Sequence, residues 1–133
     1  MTQDRIRAVR DRRYKYIRNF LPDRPYTQYN EYIQKQYPTL GVLQELHSKG
    51  KLNATQALWM AARKPPVEFY DTQSDPHEVR NLAESPAHKK LVAEFAKRLD
   101  DWIRDTRDQG AILETPEQIA AEEPRARQEG AKK

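Results

Sequence analysis

The chain has 133 residues, 37% hydrophobic and 33% charged, with 24 Lys and Arg against 20 Asp and Glu. That length allows one small domain, and no run approaches the ~20 consecutive apolar residues that a membrane span requires. The absence of cysteine removes disulfides, thiolate metal sites and cysteine nucleophiles together.

Met1–Arg13 is basic but has no apolar centre, so no signal peptide is expected there. The basic excess sits at the front, where Arg5, Arg7, Arg10, Arg12, Arg13, Lys15, Arg18 and Arg24 face only Asp4, Asp11 and Asp23. Such an imbalance could suit an anionic partner; the favoured reading is a strand pair with solvated arginines. Ile6–Val9 and Tyr14–Ile17 are β-prone runs, and Asp11-Arg12-Arg13 is short enough to close them into a hairpin. Tyr14 and Tyr16 then share one face and Ile17 takes the other.

Pro22, Pro25 and Pro38 interrupt any helix, so residues 19–38 read as the irregular start of an insertion over about 19–66. Tyr26, Tyr29 and Tyr32, with Ile33, permit a short helix over Tyr26–Gln36 that either stacks on a ligand or packs on the domain. Leu40, Leu43, Leu46 and His47 keep helical spacing up to Gly50. Asn53 and Gln56 have the spacing of a capping box ahead of a helix over Ala54–Arg63, which explains Asn53-Ala54-Thr55 without reading it as a glycosylation sequon. Pro65-Pro66 ends that helix.

Val67–Tyr70 is a third strand candidate. Asp71–Glu78 is rich in turn formers, and Asp71 and Asp75 are expected to accept backbone N–H groups there rather than bind a metal. Ser85 and Pro86 start a helix whose apolar stripe is Leu91, Phe95, Leu99 and Trp102, flanked by Val92 and Ile103 and running to about Arg107. Such a stripe needs a surface, and the strands supply it. The expected fold is α+β: a small antiparallel β-sheet of three or four strands packed against one long C-terminal helix, with a helical insertion. Residues 1–115 form the unit, with the long helix over about 86–107. Residues 116–133, whose apolar content is almost only alanine, read as a weakly helical or disordered tail.

Reaction centres are missing from the pattern. His47, His77 and His88 have no nucleophile context, the four glycines are too far apart to cradle phosphate, and His77-Glu78 lacks the second histidine of a zinc helix.

Two blocks carry a resemblance. Arg7-Ala8-Val9-Arg10-Asp11-Arg12-Arg13-Tyr14-Lys15-Tyr16-Ile17 resembles the R-A-V-R-x-x-R-Y-K-Y-I hairpin near the C-terminus of sulfatases. Glu68-Phe69-Tyr70-Asp71-Thr72-Gln73-Ser74-Asp75-Pro76-His77-Glu78-Val79-Arg80-Asn81-Leu82-Ala83 resembles their E-L-Y-D-x-x-x-D-P-x-E-x-x-N-L-A block, and the striped helix follows. The Asp-Pro-His-Glu wording and the Thr-Arg-Asp after the helix look most like the heparan N-sulfatase (sulfamidase) branch of this arylsulfatase and alkaline-phosphatase-like superfamily.

The resemblance implies a non-catalytic C-terminal subdomain. In the family the chemistry belongs to a large N-terminal domain holding formylglycine and calcium, and no residue of that machinery maps onto this chain. The implied partner is that catalytic domain, on which one face of a chain only 37% hydrophobic would rest; the implied parent is periplasmic, secreted or lysosomal. Structural roles fall to Tyr14, Tyr16, Phe69, Tyr70, Asp71, Asp75, Leu91, Phe95, Leu99 and Trp102. Arg18, Arg24, Tyr26 and Lys35 are candidates for the rim of a substrate pocket. The alternatives are an autonomous module for a polyanion, with a sulfated glycan fitting better than nucleic acid because no recognition-helix pattern appears, and a self-associating module forming a homo-oligomer.

Overall fold

A computed structural model describes residues 4–112 together with Thr115 and Glu117. The expected tail over 116–133 falls, except for Glu117, outside the described residues. The fold is α+β. Strands β1 (Ile6–Arg10), β2 (Tyr14–Asn19) and β3 (Val67–Asp71) form an antiparallel sheet in the order β1-β2-β3. Between β2 and β3 lie three helices, α1 (Glu31–Gln36), α2 (Pro38–Ser48) and α3 (Ala54–Trp59). The long helix α4 (Lys89–Thr106) closes the fold.

The hairpin turn is made by one side chain. Asp11 Oδ1 accepts the backbone N–H groups of Arg13 (2.8 Å) and Tyr14 (2.6 Å), while the Asp11 N–H donates to the Tyr14 carbonyl (3.0 Å). This carboxylate satisfies the donors that a tight connection strands. Tyr16 pairs with Val9 on one side and Phe69 on the other, so both neighbours in register are apolar.

Strand alternation puts Val9, Tyr14, Tyr16, Val67 and Phe69 on the sheet face that meets α4. Tyr16, Phe69, Phe95 and Leu99 are fully buried and form the core, with Leu91, Val92, Ala96 and Ile103 packed around it. Phe69 stacks on Tyr14 (centroids 5.4 Å, 10°) and meets Phe95 edge-on (5.4 Å, 74°). Both geometries suit the ring quadrupoles.

Three local expectations need correction. The tyrosine-spaced helix is shorter, because the side chain of Asn30 caps the Ile33 N–H (3.1 Å) and starts α1 after Tyr29. Ser85 makes no side-chain cap. Pro86–His88 is a 3-10 turn, and the Ser85 hydroxyl instead meets His88 Nδ1 (3.0 Å). The helix ends where expected, at Arg107, whose backbone lies in the left-handed region (φ 54°). Trp102 is 48% exposed: three residues after Leu99 it lies ~60° back around the helix, whereas Ile103, four residues on, lies only ~40° ahead.

The basic front is largely spent on internal contacts. Arg7 grips Asp108 through two bonds of 2.9 Å, tying β1 to the end of α4. Arg13 grips Asp71 (2.7 and 3.1 Å), Lys15 pairs with Glu78 (2.7 Å), and Arg18 reaches Asp100 (2.5 Å). Arg7 also packs so closely on Gly110 that a Cβ there would meet its guanidinium at 2.0 Å. Asp71 also accepts the Gln73 N–H, and Asp75 accepts the Arg80 N–H, as expected of turn aspartates.

These contacts set the acid response. The Arg13 guanidinium holds the Asp71 carboxyl well below the usual carboxylate range, and Arg7 lowers that of Asp108. A depressed folded value means a contribution that is present above the unfolded pKa, about 4, and is lost as pH falls toward the folded value. The melting temperature should therefore fall on acidification below about pH 4, with a shallower fall in Asp71→Asn. Thermal unfolding followed by circular dichroism checks this; a melting temperature that holds or rises over that range would refute it.

Candidate binding groove

The second sheet face is built from the alternate residues Ile6, Ala8, Ile17, Asn19, Glu68 and Tyr70. No long helix covers it. It forms the floor of an open groove of about 700 Å³, walled by the insertion on one side and by the His77–Asn81 segment on the other.

The floor is polar and centred on Glu68. Its Oε1 accepts from Asn19 Nδ2 (2.6 Å) and its Oε2 from the Tyr70 hydroxyl (2.6 Å), and the Tyr26 hydroxyl is hydrogen-bonded to it as well. Burial, with the Glu68 carboxyl adding to it, pushes the Tyr26 and Tyr70 phenols well above the ordinary tyrosine range, so both keep their protons and act as donors. Asn19 Nδ2 also donates to the Pro65 carbonyl (2.7 Å), and the Asn19 N–H donates to that of Pro66 (3.0 Å). The diproline is thereby sewn onto the end of β2. Lys64 is buried to its amine and paired with Asp4.

The wall is apolar. Helix α3 carries Leu58 and Trp59, and its start is the expected capping box, with Gln56 N–H on Asn53 Oδ1 (2.9 Å) and Asn53 N–H on Gln56 Oε1 (3.0 Å). Trp59 is 60% exposed and rests against Tyr26 (centroids 5.7 Å). Thr27 donates to the Trp59 carbonyl (3.2 Å), fixing the helix end.

Of the four rim candidates, only Tyr26 lines this groove. Arg18 lies on the opposite face, bonded to Asp100 of α4. Lys35 is on α1, paired one turn away with Glu31 (2.7 Å). The Arg24 N–H donates to the Leu21 carbonyl (3.2 Å) in the chain leaving β2. The four do not converge. The reading of the residues overlooked Glu68 and Trp59. Glu68 had a signal: in Val-Glu-Phe-Tyr it alternates with Phe69 and so shares a face with Tyr70 and Ile17.

The histidines do not assemble a reaction centre. His47 is exposed on α2, His77 borders the groove, and the His88 ring lies 6.5 Å from Tyr14 and 6.4 Å from Phe69. Among the described residues no three His, Asp or Glu side chains are grouped to hold a metal ion, and the chain offers no cysteine for conversion to formylglycine. Nor does Ser85-Pro86-Ala87 match the Cys/Ser-x-Pro-Ser-x-Arg pattern that the resemblance associates with formylglycine. Among the described residues, too, no helix is long and apolar enough to cross a membrane.

The chain is similar to two ulvan-active sulfatases of Formosa agariphila. One is 40% identical over 112 residues, 84% of this chain and 19% of that protein; the other is 32% identical over 111 residues, 80% of this chain and 18% of that protein. A Delta 4,5-hexuronate-2-O-sulfatase of Bacteroides thetaiotaomicron is 44% identical over 41 residues, 31% of this chain and 8% of that protein. No protein-family model matches. The chain spans about a fifth of the length of these two curated relatives. It is a sulfatase-related domain over most of its length.

Proposed function

We propose that this chain is the non-catalytic C-terminal region of a sulfatase and that it braces a catalytic domain supplied by the rest of the parent polypeptide. The observation that carries this reading is the 40% identity over 112 residues to a protein of which those residues make up only 19%. The structure is consistent with it: the two resembling blocks become β1-β2 and β3 with its turn, adjacent in one sheet although far apart in sequence. The chemistry of the parent is hydrolysis of a sulfuric ester or a sulfamate. The Bacteroides relative is by name an O-sulfatase, which favours the ester over the N-sulfate of the sulfamidase branch. Calcium and formylglycine belong to that catalytic domain, and the parent works outside the cytoplasm. Arg18, Arg24, Tyr26 and Lys35 remain rim candidates in the assembled enzyme, with Tyr26 the one that already borders a groove.

The polyanion-binding alternative is less favoured, because Arg7, Arg13, Lys15 and Arg18 already hold carboxylates of this domain. The gene tests the reading. Continuous coding sequence a few hundred codons upstream should encode a Cys/Ser-x-Pro-Ser-x-Arg motif. A complete gene without such a motif would overturn it.

A further inference from the structure

We propose that β1 is the pairing edge of a homodimer: β1 of a second copy adds antiparallel to it, centred on Ala8, and joins the two three-stranded sheets into one. The sheet has two edges, and they differ. The β3 edge is sealed by the segment that follows it. The Phe69 N–H donates to Asn81 Oδ1 (2.9 Å), Asn81 Nδ2 donates to the Val67 carbonyl (3.1 Å), and the Leu82 N–H donates to the Phe69 carbonyl (2.7 Å). The β1 edge is bare. The Phe20 N–H donates to the Arg5 carbonyl (2.9 Å) and the Asp11 N–H to that of Tyr14 (3.0 Å); with the β1–β2 register, this turns the odd-numbered residues of β1 toward β2. Ile6, Ala8 and Arg10 therefore aim their N–H and carbonyl groups outward. Among the described residues those N–H groups meet no acceptor, and of the carbonyls only that of Ile6 is met, by Arg7 Nη1 (2.9 Å). Such a row is a template for one more strand.

Pairing about Ala8 is self-complementary, as a two-fold axis demands. The small Ala8 side chain meets its own copy. Arg5 falls opposite Asp11 of the second copy, Arg7 opposite Val9 and Arg10 opposite Ile6. Unlike charges thus face each other at both ends of the pairing, and no arginine lies directly opposite another. Arg7, diagonal to its own copy across the axis, is already held by Asp108. The axis stands perpendicular to the sheet, so the two α4 helices share one face. On that face Trp102, 48% exposed, lines a cleft of about 430 Å³ against β1. In the dimer the second copy covers this indole, and an apolar surface that nothing in the single chain buries leaves water. No rim candidate lies on β1 or in this cleft, so the dimer stands or falls separately from the proposed function.

The test is sedimentation equilibrium of the 133-residue chain. A range from about 1 µM to about 0.1 mM detects any Kd of about 10 µM or tighter. The expected result is a mass that rises from one chain to two and no further, because a two-fold pairing of edges is closed. Ala8→Pro removes the outward N–H at the axis without touching a β1–β2 bond. It should keep the far-ultraviolet circular dichroism and weaken dimerisation by at least about tenfold. In a Trp59→Phe chain Trp102 is the sole indole. Its quenching by acrylamide should fall by about half or more as the dimer forms, because the ring leaves water. If Ala8→Pro does not fold, the Trp102 reading decides alone. A mass that stays at one chain or climbs past two, a folded Ala8→Pro chain that dimerises as well as its parent, or Trp102 quenching that ignores concentration would each overturn the proposal.

Discussion

Leu99→Asp abolishes cooperative folding of this chain. Leu99 is 1% exposed and sits with Phe95, Phe69 and Tyr16 in a core that has few other fully buried side chains. Losing its burial costs roughly 1.5–3 kcal/mol, and an unpaired carboxylate forced into that space costs several more, about the desolvation penalty of a lone buried ion. Domains of this size hold only about 5–15 kcal/mol in total. The same substitution at Ala93, on the exposed side of α4, should change stability by no more than about 0.5 kcal/mol. Urea unfolding followed by circular dichroism separates the two. A Leu99→Asp chain that melts cooperatively near the parent midpoint would rule out the packing of α4 on the sheet.

The second large effect lies on the opposite face. Glu68→Ala should destabilise the chain by about 3 kcal/mol, because it strands donors instead of removing a single contact. The Tyr70 hydroxyl loses its acceptor inside the fold, the Tyr26 hydroxyl loses the same one nearer to solvent, and Asn19 Nδ2 keeps only the Pro65 carbonyl. Adding Tyr70→Phe to Glu68→Ala should recover part of the loss, since one stranded hydroxyl disappears with its ring retained. The check is the urea midpoint at constant slope. A loss below about 0.5 kcal/mol, the range of ordinary surface substitutions, would show that the network does not hold β3 to β2.

The legible parts of the fold are those with a period or a local chemical signature. Leu91, Phe95 and Leu99 repeat at helical spacing, Tyr14 and Tyr16 alternate along a strand, and Asn53 with Gln56 spells a cap within one turn. What escaped was set by partners far along the chain or by competition at a boundary. Asp71 reads as a turn residue, yet Arg13 lies 58 positions away and comes into range only through the β2–β3 register. The front arginines look like a surface for anions until their carboxylates arrive from α4 and the β3 turn. The tyrosine spacing promised a longer helix, and Asn30 started it late because its side-chain Oδ1 accepts the Ile33 N–H. The groove was invisible because it joins Trp59, Tyr26 and Glu68, from three separate segments, across a sheet face whose register no single stretch encodes.

The central claim is that this domain braces sulfatase chemistry performed by other residues of its parent. The direct measurement is turnover of an aryl sulfate by the purified chain with calcium present. No hydrolysis above buffer is the expected result. Hydrolysis that follows the chain through purification and disappears on Leu99→Asp would contradict it, since the reaction would then depend on this fold alone.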